Sequence, residues 1–229
     1  MVVRWQWSNP CQETDCMAQK ETVERILDAA EALFAERGFA ETSLRTITST
    51  AGVNLAAVNY HFGSKKALIQ AVFERFLEPL VAEIDQRLSV LEQNPEKINV
   101  ESLLRVLSSA IYEVHGRNTN RATAFMRLLG LAYTQSQAHV RNFIASRYGD
   151  AFQRYARLLK PALPGATDQE LFWHTHFALG TAIFTMSNFD ALRAMAMNDT
   201  GHRGSVDFIV SNLTSFMAAG LRNASHDDA

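Results

Sequence analysis

Apolar residues recur at spacings of three and four along almost the whole chain, which predicts a protein made of α-helices. The first helix should run over Thr22–Arg37, where Thr22 is a candidate N-cap and the apolar stripe is regular. Gly38 should end it, because glycine adopts the left-handed conformation without a Cβ clash. Phe39 should then turn back to the core.

The same spacing predicts a long helix that begins at Ser64 and reaches about Leu91. Pro79 stands inside it and should kink or interrupt it, since proline removes a hydrogen bond. A capping box at Thr167–Glu170 should start one continuous, almost wholly apolar helix. The helices expected after the long one are Val100–Val114, Arg121–Thr134, Ala138–Lys160, Leu171–Ala196 and Phe208–Leu221.

Two short helices should fill the stretch between Thr42 and Phe62. Thr42 can cap the first one, over Ser43–Ala51, and Gly52 provides the turn after it. Asn54 can cap the second one, which Gly63 ends. Two helices with a glycine turn between them are the helix-turn-helix unit, whose second helix enters the DNA major groove.

Charge agrees with DNA binding at this place. The chain contains 24 acidic residues, yet none lies between Thr42 and Phe73, where Arg45, Lys65 and Lys66 stand. Carboxylates on a surface that approaches phosphates would repel them. Val58 and Phe62 should be core, so the face toward the groove consists of Leu55, Ala56, Ala57, Asn59 and Tyr60. Asn59 can bond adenine, and the small apolar groups suit thymine methyls.

The stretch Thr22–Leu68 resembles the N-terminal domain of the TetR family of bacterial transcriptional repressors. The resemblance rests on Gly38-Phe39, Thr42-Ser43, Ala51-Gly52-Val53, Tyr60-His61-Phe62 and Ser64-Lys65. It implies that the groove face contacts bases or the adjacent sugar-phosphate backbone. It also implies phosphate contacts from Thr42, Ser43, Arg45, His61 and Lys65. Packing against the next helix is the alternative for Tyr60 and His61. The family usually has alanine where Thr48 stands, so this threonine should crowd the helix crossing or bond the preceding turn. The complete predicted DNA interface is Thr42, Ser43, Arg45, Asn54, Leu55, Ala56, Ala57, Asn59, Tyr60, His61 and Lys65.

The two late apolar helices should pack against their copies in a homodimer, since such strongly apolar helices need cover on most sides. The TetR resemblance implies the same interface. Aromatic and methionine residues of the later helices could line a pocket for a hydrophobic effector, or could simply be core, because both use the same residue types. Gly180 inside a helix indicates a close helix approach or a ligand. The candidate ligand residues are Phe125, Met126, Leu129, Tyr133, Phe152, Trp173, His176, Phe177, Gly180 and Phe184.

The segments FMRLLGLAYTQSQAHVR and ELFWHTHFALGTAIFTMS are similar to those of the fatty-acid-responsive TetR-type regulators of pseudomonads. That resemblance implies repression of fatty-acid degradation genes and release by a long-chain fatty acid or acyl-CoA. Arg127 or His176 could meet its carboxylate, although a dimer salt bridge is the alternative for Arg127. An unrelated aromatic or drug-like effector is the alternative for the ligand.

Composition bounds the remaining choices. A chain of 229 residues with net charge −2 and a pI near 6.4 is no general nucleic-acid coat, so DNA binding must be local. No spanning helix is expected, no catalytic motif is present, and Cys11 and Cys16 lack the neighbours of a metal site. The sequence therefore predicts a cytoplasmic, non-enzymatic regulator without cofactor or metal. Its predicted parts are a disordered tail (1–17), an all-helical DNA-binding head (18–66) and a helical ligand-binding and dimerisation body (67–229).

Overall fold

The structure is a computed structural model that describes residues 13–115, 119–134 and 137–223. These residues form helices without any strand, which confirms the all-α prediction. The chain divides into two compact units, Met1–Val72 and Phe73–Ala229. The helices are α1 Glu13–Glu41, α2 Leu44–Ala51, α3 Leu55–Phe62, α4 Lys65–Glu92, α5 Val100–His115, α6 Thr119–Thr134, α7 Ala138–Leu159, α8 Asp168–Ser187, α9 Phe189–Thr200 and α10 Val206–Arg222.

The start of α1 differs from the prediction. Residues 1–12 of the tail that was expected to be disordered lie outside the described part, whereas residues 13–17 already belong to α1. Thr22 does not cap this helix, because its hydroxyl donates to the carbonyl of Ala18 at 2.9 Å from within the helix. The predicted break at Gly38 is confirmed, because within α1 this residue leaves helical geometry with φ 84° and ψ 168°. The ring of Phe39 then packs 5.4 Å from that of Phe34.

The first unit is held by an apolar core to which every helix contributes. Val58 is the buried residue of α3, and Ile47 anchors α2. Each lies on the side of its helix that the spacing of apolar residues marked as inward. The short helices α2 and α3 are thereby fixed against α1 with their other faces in solvent. The remaining core residues of this unit include Ile26, Ala30, Phe34, Phe39, Leu68 and Val72.

Of the two outcomes expected at Pro79, a kink or an interruption, the interruption is wrong. Helix α4 continues from Lys65 to Glu92 with Pro79 inside it. The proline itself is exposed, while Phe76, Leu77 and Leu80 around it are buried. Apolar packing on the inner side therefore outweighs the missing hydrogen bond on the outer side.

Ion pairs fasten α7 to α4 within the second unit. Arg147 contacts Glu74 at 2.5 Å and Glu78 at 3.3 Å. Arg154, two helical turns further along α7, contacts Asp85 at 3.1 Å and Glu92 at 2.6 Å. The hydroxyl of Tyr148 also donates to Glu78. We call this set the α4–α7 ion ladder.

The predicted continuous helix over Leu171–Ala196 is wrong, because the chain leaves helical geometry at Asn188 and divides into α8 and α9. The Asn188 side-chain amide donates to the carbonyl of Phe184 at 2.9 Å. Arg127 of α6 donates from Nε to the carbonyl of Ser187, also at 2.9 Å. Arg127 therefore caps the end of α8 from a neighbouring helix, a use that neither sequence alternative foresaw.

Helix α6 packs closely on α8, and α10 packs on both α5 and α8. Gly130 makes the first contact possible: a Cβ built there would lie 3.0 Å from Cγ2 of Ile183. Of the two alternatives for Gly180, a close approach of another helix of the same chain is not observed, because a Cβ at that position would meet no atom within 4 Å. Within the described residues, no helix combines the length and apolar character needed to cross a membrane.

Candidate nucleic-acid interface

Helix α3 presents one face to solvent because its caps and one buried residue fix its rotation. Oδ1 of Asn54 accepts the N–H of Ala57 at 2.9 Å, and Gly63 ends the helix with φ 75°. Val58 points into the core. The outward face carries Leu55, Ala56, Asn59 and Tyr60, as predicted for the groove-facing surface, while Ala57 is half-buried.

Tyr60 is the most exposed member of this face, at 77% of its full accessible area. An aromatic side chain so exposed in a well-packed unit makes few stabilising contacts of its own, which favours a role in binding. Its ring meets His61 edge-on, with centroids 5.0 Å apart. Burial lowers the pKa of His61 below its ordinary value.

The start of α2 offers a second surface for phosphates. Oγ of Ser43 accepts the N–H of Thr46 at 3.1 Å, so Ser43 is the N-cap in place of Thr42. No acidic residue lies in the first turn, and Arg45 is exposed there. Free N–H groups at a helix N-terminus favour anions.

Thr42 was predicted to contact DNA, and its side chain cannot do so. It is completely buried, and its hydroxyl donates to the carbonyl of Gly38 at 2.8 Å and lies 3.2 Å from that of Leu33. Gly38 is the residue at which α1 leaves helical geometry. The hydroxyl of Thr42 is therefore used for the fold.

Three further side chains form hydrogen bonds to backbone carbonyls in this unit. The hydroxyl of Thr48 donates to the carbonyl of Arg45 at 3.0 Å, so it bonds the preceding turn instead of crowding the crossing. Nζ of Lys65 lies 3.4 Å from the carbonyl of Ala40 and remains half-exposed. Arg25 of α1, which the sequence reasoning did not single out, donates to the carbonyl of Gly52 at 3.0 Å.

The predicted effector residues do not surround a single pocket. Phe125 and Met126 of α6 are buried, and Leu129 is half-buried. Phe152 of α7 is exposed on its own helix. Two predicted residues of α8, Trp173 and Phe177, line an open depression with Thr167, Gln169, Glu170 and His174. Spacings of four, three and four place the predicted α8 residues on one exposed stripe of the helix. This α8 stripe consists of Trp173, Phe177, Gly180 and Phe184.

Two of the predicted residues, Tyr133 and His176, do come together. His176 lies between two aromatic rings, with Phe172 at 4.1 Å and Tyr133 of α6 at 6.4 Å between centroids. Its Nδ1 is 2.7 Å from the carbonyl of Phe172. Tyr133 and Phe172 are each about half exposed, so this aromatic group borders solvent on one side. It stands between α6 and α8, close to the end of the buried row of α6.

A cleft of about 700 Å³ lies elsewhere in the second unit, between α5 and α10. Its charged lining is largely compensated: Arg87 pairs with Glu83 at 2.6 Å, and Glu101 pairs with Arg222. None of the predicted effector residues lines it. Across the described residues, no group of three or more histidine, cysteine or acidic side chains could hold a metal ion.

Two family models match the chain. The model for bacterial regulatory proteins of the tetR family covers residues 26–72. The model for the Tetracyclin repressor-like C-terminal domain covers residues 105–220, just over half of the chain. This protein belongs to the TetR family. TetR proteins are transcription regulators and not enzymes, which agrees with the predicted class.

Individual relatives match over shorter stretches. The HTH-type transcriptional repressor KstR2 of Rhodococcus jostii (strain RHA1) is 34% identical over 71 residues, 31% of this chain and 34% of the relative. The regulator AcrR of Shigella flexneri is 32% identical over 99 residues, 43% of this chain and 46% of the relative. The chain thus spans less than half the length of these curated relatives.

The TetR fold extends over nearly the full chain in solved structures. SmeT, the repressor of the Stenotrophomonas maltophilia multidrug efflux pump SmeDEF, covers 91% of this chain with 94% of its own. The TM-score is 0.55 at 21% identity, so the likeness concerns the fold. It confirms a helix-turn-helix head followed by a helical body.

Proposed function

We propose that this protein is a homodimeric transcriptional repressor that binds an inverted-repeat DNA operator and leaves it when a hydrophobic effector binds. The observation that carries the proposal is the outward face of α3, which has no acidic residue and projects Asn59 and Tyr60 into solvent. Because its partner is chromosomal DNA, the protein should act in the cytoplasm.

Base recognition would come from α3 and affinity from its flanks. Asn59 has the donor and acceptor needed to bond adenine in the major groove, while Leu55 and Ala56 suit thymine methyls. Ser43, Arg45 and Lys65 would bind phosphates beside the groove, with His61 as a further donor. The amide of Asn54 keeps its NH₂ group available although its oxygen caps α3.

Homodimer formation would bury the α8 stripe together with the aromatic residues of α10. Phe208 and Phe216 are exposed on α10, and His174 Nδ1 lies 2.9 Å from the carbonyl of Gly220, which ties the two helices antiparallel. Exposed aromatic rows on two adjacent helices form a large apolar patch of the kind that marks an interface. Gly180, with open space around it, would receive a side chain of the partner. A two-fold dimer requires an operator with two-fold symmetry.

The effector is a long-chain fatty acid or acyl-CoA in this proposal. Its support is the similarity of the α6 and α8 segments to fatty-acid-responsive regulators, together with the row Phe125, Met126 and Leu129 beside the Tyr133–His176 aromatic group. An acyl chain would displace packing along α6, with its head group near His176. The resemblance of the fold to SmeT, a repressor of a multidrug efflux pump, supports a drug-like effector as the alternative.

Two experiments test the DNA proposal. Operator sequences are selected from a random duplex library, and their binding is then measured by fluorescence anisotropy at fixed salt. The wild type should prefer an inverted repeat to its scrambled version. Tyr60→Ala should weaken that binding, and Asn59→Ala should cost about 1–3 kcal/mol and relax base preference. Tyr112→Ala, which removes an exposed tyrosine of the body, is the matched control and should bind normally. No preference for any duplex would contradict the proposal.

Two experiments test the identity of the effector. Molecules bound to the purified protein are extracted and identified by mass spectrometry, and acyl chains of increasing length are then titrated against the protein–operator complex. Long chains should release the DNA, because an effector must bind the DNA-free state more tightly to shift the equilibrium. Leu129→Trp should block release while operator binding persists, whereas Val90→Trp on the exposed side of α4 should not. Release by an aromatic compound but by no acyl chain would select the alternative effector.

A further inference from the structure

Arg25 joins the first helix to the turn of the helix-turn-helix unit. Its Nη2 donates to the carbonyl oxygen of Gly52 at 3.0 Å, across 27 residues of sequence. Gly52 is the left-handed residue that ends α2, and its own N–H donates back to the carbonyls of Ser49 and Thr48. The amide of this turn is therefore bound within α2, while its carbonyl is bound by a charged side chain from another helix.

Side-chain packing does not hold the turn at this point. Glycine lacks a Cβ, and a Cβ built on Gly52 would meet no atom within 4 Å. The next residue, Val53, is half-buried, and Asn54 caps α3 one residue later. The hydrogen bond from Arg25 is thus a direct mechanical link between α1 and the backbone that leads into the recognition helix.

The surroundings of Arg25 are unfavourable for a phosphate contact. Three acidic residues share its neighbourhood on α1. Glu21 stands four residues and Glu24 one residue before Arg25, and Asp28 stands three residues after it. Their carboxylates repel a DNA backbone. A guanidinium in this position is better suited to a carbonyl oxygen of the protein, for which its planar group of donors is well shaped.

We infer that Arg25 is a positioning residue for DNA recognition: by holding the Gly52 carbonyl it fixes the angle at which α3 presents Asn59 and Tyr60, without touching DNA itself. The inference rests on the proposed DNA-binding function. Base contacts depend on small distances, so a loosened turn should harm specific binding more than charge-driven non-specific binding.

Operator binding of Arg25→Ala, measured across a range of salt concentrations, separates positioning from phosphate contact. The variant should lose about five- to tenfold in operator affinity, the size expected for the net contribution of one solvent-exposed hydrogen bond. The slope of log affinity against log salt should stay that of the wild type, while Arg45→Ala should lower it by about one. Arg25→Lys should recover part of the loss, and Arg37→Ala, an exposed arginine elsewhere on α1, should lose nothing.

Hydrogen exchange of the free protein gives a readout that needs no DNA. The amides of residues 53–58 should exchange faster in Arg25→Ala than in Arg37→Ala. A salt slope reduced by about one would overturn the inference in favour of a phosphate contact, and unchanged affinity with unchanged exchange would overturn it outright. If the wild type prefers no duplex, the proposed function fails, and faster exchange would still establish the link from Arg25 to the turn.

Discussion

At the scale of single residues, two neighbouring hydroxyls show what sequence can and cannot assign. Thr42 and Ser43 both fit an N-cap, and both match positions implied to contact phosphate. The structure places the first in the core and the second in solvent at the start of α2. Their separation depends on the break of α1 at Gly38, beside which the buried hydroxyl of Thr42 bonds the α1 backbone. Residue type predicted the chemistry, and tertiary packing decided its use.

Thr42→Val should lower the free energy of unfolding by about 1–3 kcal/mol, because it leaves the carbonyls of Leu33 and Gly38 without their donor. Ser43→Ala should cost about 0.5–2 kcal/mol through loss of the cap. Urea unfolding at fixed protein concentration measures both. Only Ser43→Ala should also weaken operator binding at temperatures where both variants are folded. Equal loss of DNA affinity in the two variants would restore Thr42 to the interface.

At the scale of elements, the spacing of apolar residues was sufficient for helix type and nearly sufficient for helix ends. It failed where a side chain from another helix decides the outcome. Asn188 ends α8 with help from Arg127, and Pro79 is tolerated in α4 because its neighbours are buried. The α4–α7 ion ladder was equally out of reach, since α7 displayed only a row of arginines without any indication of their partners.

Arg154→Met should lower the free energy of unfolding by about 1 kcal/mol at low salt, and the loss should shrink as salt screens its ion pairs. The hydrogen bond from Arg154 lowers the pKa of Glu92 below its ordinary value of 4.5. The stabilisation that ionised Glu92 contributes to the folded state is therefore complete above pH 4.5 and disappears as the pH falls through the lowered pKa of Glu92. Unfolding by urea at two salt concentrations and several pH values measures this. Arg105→Met, on α5, is the control, and a loss that ignores salt would contradict the ion ladder.

At the scale of the whole molecule, the sequence predicted the apolar helices but not which of their large residues stay exposed in the single chain. Trp173, Phe177 and Phe184 have the composition expected of a pocket, and they face solvent in the single chain. Composition cannot separate a pocket wall from a subunit interface, because both require large apolar side chains beside a missing partner. The direction of each residue around the helix becomes known only when its neighbours are placed.

Phe216→Glu should convert the dimer to monomers at micromolar concentration, because burying an unpaired carboxylate at an apolar interface is costly. Sedimentation velocity measures the change. Val90→Glu is the control and should remain dimeric. Val90 is 59% exposed, against 68% for Phe216, and lies on a different part of the second unit. Monomeric wild type under the same conditions would contradict the proposed interface.

The contact at Gly130 has a consequence for how two subunits would share a signal. Because a Cβ at Gly130 would press on Ile183 at 3.0 Å, a shift of α6 toward α8 should push Ile183 and the helix that carries it. A ligand that displaces the row on α6 would therefore move the α8 stripe, which the partner subunit packs against in the proposed dimer. Occupation of one subunit should then ease binding in the other. We expect effector titrations to be cooperative, with a dose–response curve steeper than that of independent sites.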